Sequence, residues 1–264
     1  MPRSAIINVM VQAAMKAGRS LARDFGEVQN LQVSLKGPGD YVSQADRRAE
    51  EIAYAELSRV RPGYSFLMEE RGVVEGDDPQ HRWLVDPLDG TTNFLHGIPV
   101  FAVSIALERQ GQLVAGVVYN PVMDELYTAE RGAGAFFNDR RMRVAARTRL
   151  SDSVLGTGIP HLGRGNHGQT LLDMRNVMGE VSGIRRLGSA SLDLAYVAAG
   201  RFDGFWEDAL SPWDIAAGVL MIREAGGYVT DRSGNHDVLE ASSIVAGNET
   251  IHRALLKALQ KKPA

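Results

Sequence analysis

A chain of 264 residues with 44% hydrophobic and 23% charged side chains has an ordinary globular composition and is long enough for one large domain, or two modest ones with a deep cleft. It has no cysteine, which excludes disulfides, thiolate metal sites and cysteine nucleophiles, so any metal must be held by oxygen or imidazole. A net charge of −3 argues against a polyanion partner, and no apolar run approaches the ~18 residues that cross a bilayer. The start, Met1-Pro2-Arg3-Ser4, leads into a charged helical pattern without a secretion signal, so the expectation is a soluble, cytoplasmic protein with no membrane contact.

From residue 5 to 25, Ile6, Met10, Ala13, Ala14, Ala17 and Leu21 recur at helical spacing and Gly26 follows, which predicts an amphipathic helix with a glycine stop. A second helix is expected over 46–60, carrying Ala49, Ile52, Ala53 and Leu57, before Arg61-Pro62-Gly63 breaks it. Residues 64–68 and 82–85 read as strands ending in acidic residues, and 100–107 and 113–119 flank Gln110-Gly111-Gln112 as a hairpin. The polar, arginine-rich segment 138–150 is the candidate seam, dividing an α+β N-terminal part, 1–145, from an α/β C-terminal part, 146–264. Beyond it, expected strands over 154–157, 183–187, 202–206, 228–231 and 243–246 are interspersed with helices over 169–178, 191–199, 212–225 and 249–260. That order predicts a layered α/β arrangement.

The most informative stretch is Trp83-Leu84-Val85-Asp86-Pro87-Leu88-Asp89-Gly90-Thr91-Thr92-Asn93-Phe94. An apolar strand delivers Asp86, Pro87 bends the chain, and Asp89 follows three residues on, so two carboxylates can converge on one side of a tight turn. Oxygen-rich sites of this kind suit hard divalent cations such as Mg²⁺. Gly90-Thr91-Thr92 then opens a helix, whose free N–H groups and positive dipole end suit a phosphate. Alone, Asp-Pro-x-Asp-Gly is also a good β-turn sequence. Its context is what matters: Glu69-Glu70 ends the preceding strand and can bring a third carboxylate to the same edge. Ser211-Pro212-Trp213-Asp214 reads as a capping box that puts Asp214 at a helix start. Glu207, at the end of a strand, reads on its own as a surface acid.

Taken together, Glu69-Glu70, the run from Trp83 to Phe94, Gly188-Ser189-Ala190, Trp213-Asp214-Ile215-Ala216-Ala217-Gly218 and Glu224-Ala225-Gly226-Gly227 resemble the inositol monophosphatase family. That family lies within the wider group of Li⁺-sensitive, Mg²⁺-dependent phosphatases that includes fructose-1,6-bisphosphatase. The blocks match in order and separation over nearly the whole chain, and residues 185–200 are most similar to the bacterial inositol-1-monophosphatase branch. The resemblance implies a layered α/β/α/β/α sandwich with the active site between its halves, and a homodimer. It implies Mg²⁺-dependent hydrolysis of a small phosphate monoester, with myo-inositol 1-phosphate favoured over another sugar, nucleotide or histidinol phosphate.

The resemblance also assigns roles, with two or three Mg²⁺ ions. Glu69, Asp86 and the Leu88 carbonyl hold one ion; Asp86, Asp89 and Asp214 hold a second; Glu69 reaches a third, weaker one. Asp46 and Thr91 match positions that orient the attacking water, so that with Glu69 they support in-line attack by a metal-activated water without a phosphoenzyme. Lys36 falls near the phosphate and outer metal, and Gly90 and Thr91 offer backbone N–H groups to the phosphate. Asp89, Ala190 and Glu207 meet the hydroxyls of the alcohol, with Gly188 and Ser189 beside them. One departure is Arg71 after Glu70, where a serine is common; the ligand position is Glu69.

An aspartyl-phosphate phosphatase of the haloacid dehalogenase type also uses an Asp…Asp-Gly-Thr run, but with its aspartates two residues apart, whereas Asp86 and Asp89 are three apart with a proline between them. A second alternative is a binding role toward transcription machinery or RNA on the same fold, with Arg140, Arg141, Arg143, Arg147 and Arg149 as the contact face. The acidic net charge favours a solvated charged face instead. The histidines lack ligand spacing, so none is assigned to metal, and His161 and His167 are read as loop residues. Gly156-Thr157-Gly158 and Gly132-Ala133-Gly134 lack the dinucleotide fingerprint, and no Gly-x-Ser-x-Gly is present.

Overall fold

The computed structural model describes residues 3–27, 33–37, 40–161, 165–241 and 243–261, with the side chains of 33–43 outside that description. In chain order its first half comprises α1 (Ala5–Phe25), β1 (Val33–Gly37), β2 (Asp40–Ser43), α2 (Gln44–Val60), β3 (Tyr64–Met68), β4 (Gly72–Val74), β5 (Asp78–Asp89) and α3 (Thr91–Leu95). A meander follows: β6 (Ala102–Arg109), β7 (Gln112–Asn120), β8 (Glu125–Glu130), β9 (Gly134–Phe137) and β10 (Arg140–Arg141). After a 3₁₀ turn, Leu150–Asp152, come β11 (Val154–Thr157), α4 (His167–Met178), β12 (Gly183–Arg185), α5 (Ala190–Ala198) and β13 (Gly204–Asp208). The chain closes with α6 (Pro212–Glu224), β14 (Tyr228–Thr230), β15 (Ser243–Gly247) and α7 (Glu249–Leu259).

Alternation along the strands sets the layers. In β5, Trp83 and Val85 join one buried cluster while Leu84 joins another, and in β6 Val103 and Ile105 part from Ala102 and Ala106 in the same way. This is the period of two of a strand covered on both faces. The eight-stranded sheet, ordered β10-β9-β8-β7-β6-β5-β3-β4, is covered on one face by α1 and α2 and on the other by α5 and α6. Those last two helices also cover one face of a five-stranded sheet ordered β12-β11-β13-β15-β14. There Phe205, Ile244 and Ala246 face α5 and α6, whereas Trp206 and Val245 face α4 and α7. The result is the expected α/β/α/β/α sandwich. The middle helices touch both sheets, so α5 and α6 are apolar on almost every side: Leu192, Leu194, Val197, Ile215, Val219 and Ile222 are all buried.

Several elements differ from expectation. β8 and β9 carry no clear alternation, since β8 is buried at five of its six positions and both its faces are covered. β5 runs on through Asp89 instead of ending at Val85, and His167 is the first residue of α4, not a loop residue. Among the described residues, no helix is long and apolar enough to cross a membrane.

Candidate active site

Parity places the two aspartates of β5. Residues three apart on a regular strand face opposite ways, yet Asp86 pairs with Ser104 and Asp89 with Ala102, so three steps on β5 match two on β6. The bulge at Pro87-Leu88 absorbs the extra residue and returns both carboxylates to one face. It is the face of α6, where Ser104 Oγ donates to the Trp213 carbonyl at 3.3 Å. The Leu88 N–H folds back onto Asp86 Oδ1 at 2.9 Å, and Thr91 Oγ1 donates to the Leu88 carbonyl at 3.0 Å. Gly90, at φ 98°, makes the turn into α3, and a Cβ there would meet the Val100 carbonyl at 2.9 Å.

The other acids arrive from neighbouring elements. β3 is the parallel neighbour of β5 with Met68 opposite Val85, so Glu69 emerges beside Asp86; its N–H donates to the Val85 carbonyl at 3.3 Å. Asp46, in the first turn of α2, is completely buried, and carboxylate oxygens of Asp46, Glu69 and Glu70 lie within 4.8 Å of one another. From across the cleft, Asp214 is the reciprocal half of the predicted capping box, its Oδ2 accepting the Ser211 N–H at 2.8 Å. Asp89 reaches the start of α5, where its Oδ2 accepts from Ser189 Oγ at 2.6 Å, Ser191 N at 2.7 Å and Ser191 Oγ at 2.5 Å. These helix starts steady the negative charge.

A cleft of about 590 Å³ connects the groups, lined by Glu69, Asp86, Leu88, Asp89, Gly90, Thr91, Gly188, Ser189, Ala190, Glu207 and Asp214 among others. Asp46 sits behind Glu69 and outside the lining. The side chain of Lys36, on β1, lies outside the described residues. Of the proposed RNA-contact arginines, Arg147 is paired with Asp203 at 3.0 Å and Arg149 with Asp152 at 2.6 Å.

Negative charge dominates the corner. Burial, then the charges of Glu69, Asp89, Asp214 and Asp46, hold the Asp86 carboxyl well above the usual carboxylate range. Burial and Asp89 push Asp214 up to about 8 against the Ser211 hydrogen bond, and burial raises Asp89 despite its serine donors. Glu207 is pushed up to about 8 by burial, Asp214 and Asp89, with Arg186 opposing. Acids that repel one another this strongly are a set of hard oxygen donors short of positive charge, which fits Mg²⁺.

Some residues here escaped the sequence reading. Asn93, only 5% exposed, donates to the carbonyls of Val100 at 2.7 Å and Leu187 at 2.8 Å, tying the loops that carry Gly90 and Gly188. Asp193, 1% exposed, enters the cleft lining from α5, and burial, Glu207 and Asp89 raise its carboxyl well above the usual range. A signal existed: Asp193 is the sole charge in Ala-Ser-Leu-Asp-Leu-Ala-Tyr-Val-Ala, and a lone acid in an apolar helix needs a reason to be there.

Comparison with known proteins agrees with this geometry. A model of the inositol monophosphatase family matches residues 3–264. The chain is 77% identical over 261 residues to an inositol-1-monophosphatase of Mesorhizobium japonicum, covering 99% of this chain and 98% of that protein. It is 47% identical over 261 residues to the Nus factor SuhB of Pseudomonas aeruginosa, covering 97% and 96%. The crystal structure of the extragenic suppressor protein suhB from Bartonella henselae superposes with a TM-score of 0.96 at 68% identity, covering 98% of this chain and all of that one.

Proposed function

The chain belongs to the inositol monophosphatase family and is a phosphoric monoester hydrolase, and on that premise we propose that its cleft hydrolyses myo-inositol 1-phosphate with the aid of bound Mg²⁺. The observation that carries this reading is the bulge in β5, which turns Asp86 and Asp89 to one face beside Glu69 and opposite Asp214. Glu69, Asp86 and the Leu88 carbonyl would hold one ion, Asp86, Asp89 and Asp214 a second, and Glu69 would contribute to a weaker third. When bound, Mg²⁺ supplies charge neutralisation of the phosphate dianion and acidifies both the attacking water and the departing alcohol.

The protein's own groups do the rest. The first N–H groups of α3, at Gly90 and Thr91, which no helical carbonyl satisfies, orient the phosphate oxygens, and Lys36 is assigned, on the family resemblance, to the phosphate as well. Asp46, behind Glu69, and Thr91 orient the attacking water in line with the leaving oxygen. Asp89, Ala190 and Glu207 accept or offer hydrogen bonds to the hydroxyls of the alcohol, with Gly188 and Ser189 shaping that wall. We assign the ion-binding acids Glu69, Asp86 and Asp89 to an N-terminal part, 1–145, and Asp214 with the alcohol contacts to a C-terminal part, 146–264, in a cytoplasmic homodimer.

Phosphate release from myo-inositol 1-phosphate and from other sugar, nucleotide and histidinol phosphates, with Mg²⁺, with chelator and with added Li⁺, tests the reading. Mg²⁺-dependent, Li⁺-inhibited release that is fastest on the inositol ester supports it. Undiminished release in chelator, or a covalent phosphoaspartate, would overturn it. In the alternative RNA-contact reading, Arg147 and Arg149 are held in ion pairs with Asp203 and Asp152 but keep more than half of their side chains exposed.

A further inference from the structure

Gly156-Thr157-Gly158, too short for a dinucleotide site, forms the end of β11 and the start of the loop beyond it, with Thr157 and Gly158 in the lining of the cleft. Both glycines face a carboxyl. A Cβ at Gly156 would come within 3.1 Å of Asp193 Oδ1 and 3.0 Å of the Phe202 ring. At Gly158 the three nearest atoms to a Cβ all belong to the Glu207 carboxyl, and a Cβ would overlap it. Thr157 between them is pinned, its Oγ1 donating to the Trp206 carbonyl at 2.8 Å, so the strand cannot easily withdraw. Asp193 Oδ1 is buried and finds no hydrogen-bond partner among the described residues. Phosphate chemistry does not explain two carboxyls packed into glycine-made space on this wall; recognition of a hydroxyl-rich leaving group does.

We propose that Gly158 is a specificity-determining position of this enzyme, because the absence of a side chain there lets Glu207 lie flat against β11 and present its carboxyl group to the hydroxyls of a polyol phosphate. Gly158 is thus a positioning residue that acts through Glu207. The inference rests on the substrate class proposed above and deepens it. Any larger residue at this position turns the enzyme toward phosphate esters whose leaving groups carry no neighbouring hydroxyls.

The test compares Gly158→Ala with the unaltered enzyme on myo-inositol 1-phosphate and on p-nitrophenyl phosphate, both with Mg²⁺. Gly158 has no left-handed backbone to strain, so alanine's main conflict is with the Glu207 side chain. Loss of the Glu207 hydrogen bond, with a buried group left unsatisfied, predicts a roughly 10- to 100-fold rise in KM for the inositol ester, while kcat/KM for the aryl ester changes by less than about threefold. In a Glu207→Ala background, where space is open, Gly158→Ala should add no further loss on the inositol ester, as a pair acting as one unit requires. Equal losses on both esters, an unchanged KM for the inositol ester, or full additivity in the double variant would each overturn the inference. If the unaltered enzyme turns over the aryl ester but not the inositol ester, the proposed substrate class fails first, and the inference falls with it.

Discussion

Changing Asp214 to Asn should stabilise the metal-free protein while ending catalysis. Asp214 is pushed up to about 8 by burial and by Asp89, against an unfolded value of about 3.9. A carboxyl raised on folding costs nothing below its unfolded value; its cost then grows by about 1.4 kcal/mol per pH unit until the folded value is passed. The chelated wild-type protein should therefore lose stability steadily between pH ~4 and ~8. At pH 7 the cost approaches about 4 kcal/mol, and since protons are shared with Asp86 and Asp89, about 2–4 kcal/mol is the gain to expect from Asn. Asn keeps an oxygen for the Ser211 N–H, which Asp214 now accepts at 2.8 Å, so the start of α6 survives. For a chain of this size the gain corresponds to roughly 5–15 °C in Tm near neutrality, shrinking to a few degrees near pH 5. Thermal unfolding in chelator across that pH range measures it. Added Mg²⁺ should raise the wild-type Tm at pH 8 by more than that of the variant, which loses a ligand to only one of the two ions. A wild-type Tm that is flat or rising from pH 5 to 8 in chelator, with no gain from Asp214→Asn, would refute the reasoning.

Other consequences are as specific. Asp89→Asn should lower kcat/KM on the inositol ester by about three orders of magnitude or more, while circular dichroism stays that of the wild type. Asn93→Ala removes the donor that joins the Val100 and Leu187 carbonyls; urea unfolding should register a loss of about 1–3 kcal/mol, and the looser Gly188 loop should raise KM. Arg201 stacks on Phe137 and Tyr196 and holds Glu125 at 2.8 Å, with its own side chain 35% exposed. Arg201→Gln should therefore cost about 2–3 kcal/mol, somewhat below what breaking a fully buried pair costs, because Arg201 is partly solvated. Burial pushes Glu125 upward, but Arg201, Tyr127 and Tyr196 outweigh it and hold the carboxyl below its usual range. That stabilisation is complete above the unfolded value of about 4.3 and is lost as pH falls through the folded value. The deficit of Arg201→Gln should accordingly shrink in acid, which denaturation at pH 3 and pH 7 would reveal.

Much of this site was legible because local sequence rules and site chemistry coincide. Ser211-Pro212-Trp213-Asp214 is a helix start whatever its function, and the structure keeps that cap while aiming Asp214 into the cleft. Gly90 was readable as a turn, and its φ of 98° bears that out. The bulge at Pro87-Leu88 was only half readable. Proline signalled a bend, but the step that restores parity between Asp86 and Asp89 depends on pairing with β6, some fifteen residues away along the chain. Asp193 and Asn93 were missed because their roles come from tertiary neighbours, Glu207 for one and the Leu187 carbonyl for the other. β8 was missed because a strand covered on both faces loses its alternation.

A crystal soaked in Mn²⁺, with data collected at the manganese absorption edge, tests most directly whether these acids act together. The account predicts anomalous density between Glu69, Asp86, Asp89 and Asp214, coordinated by carboxylate oxygens and by the Leu88 carbonyl. Full soaking with no anomalous peak within bonding distance of Asp86, Asp89 or Asp214 would contradict it.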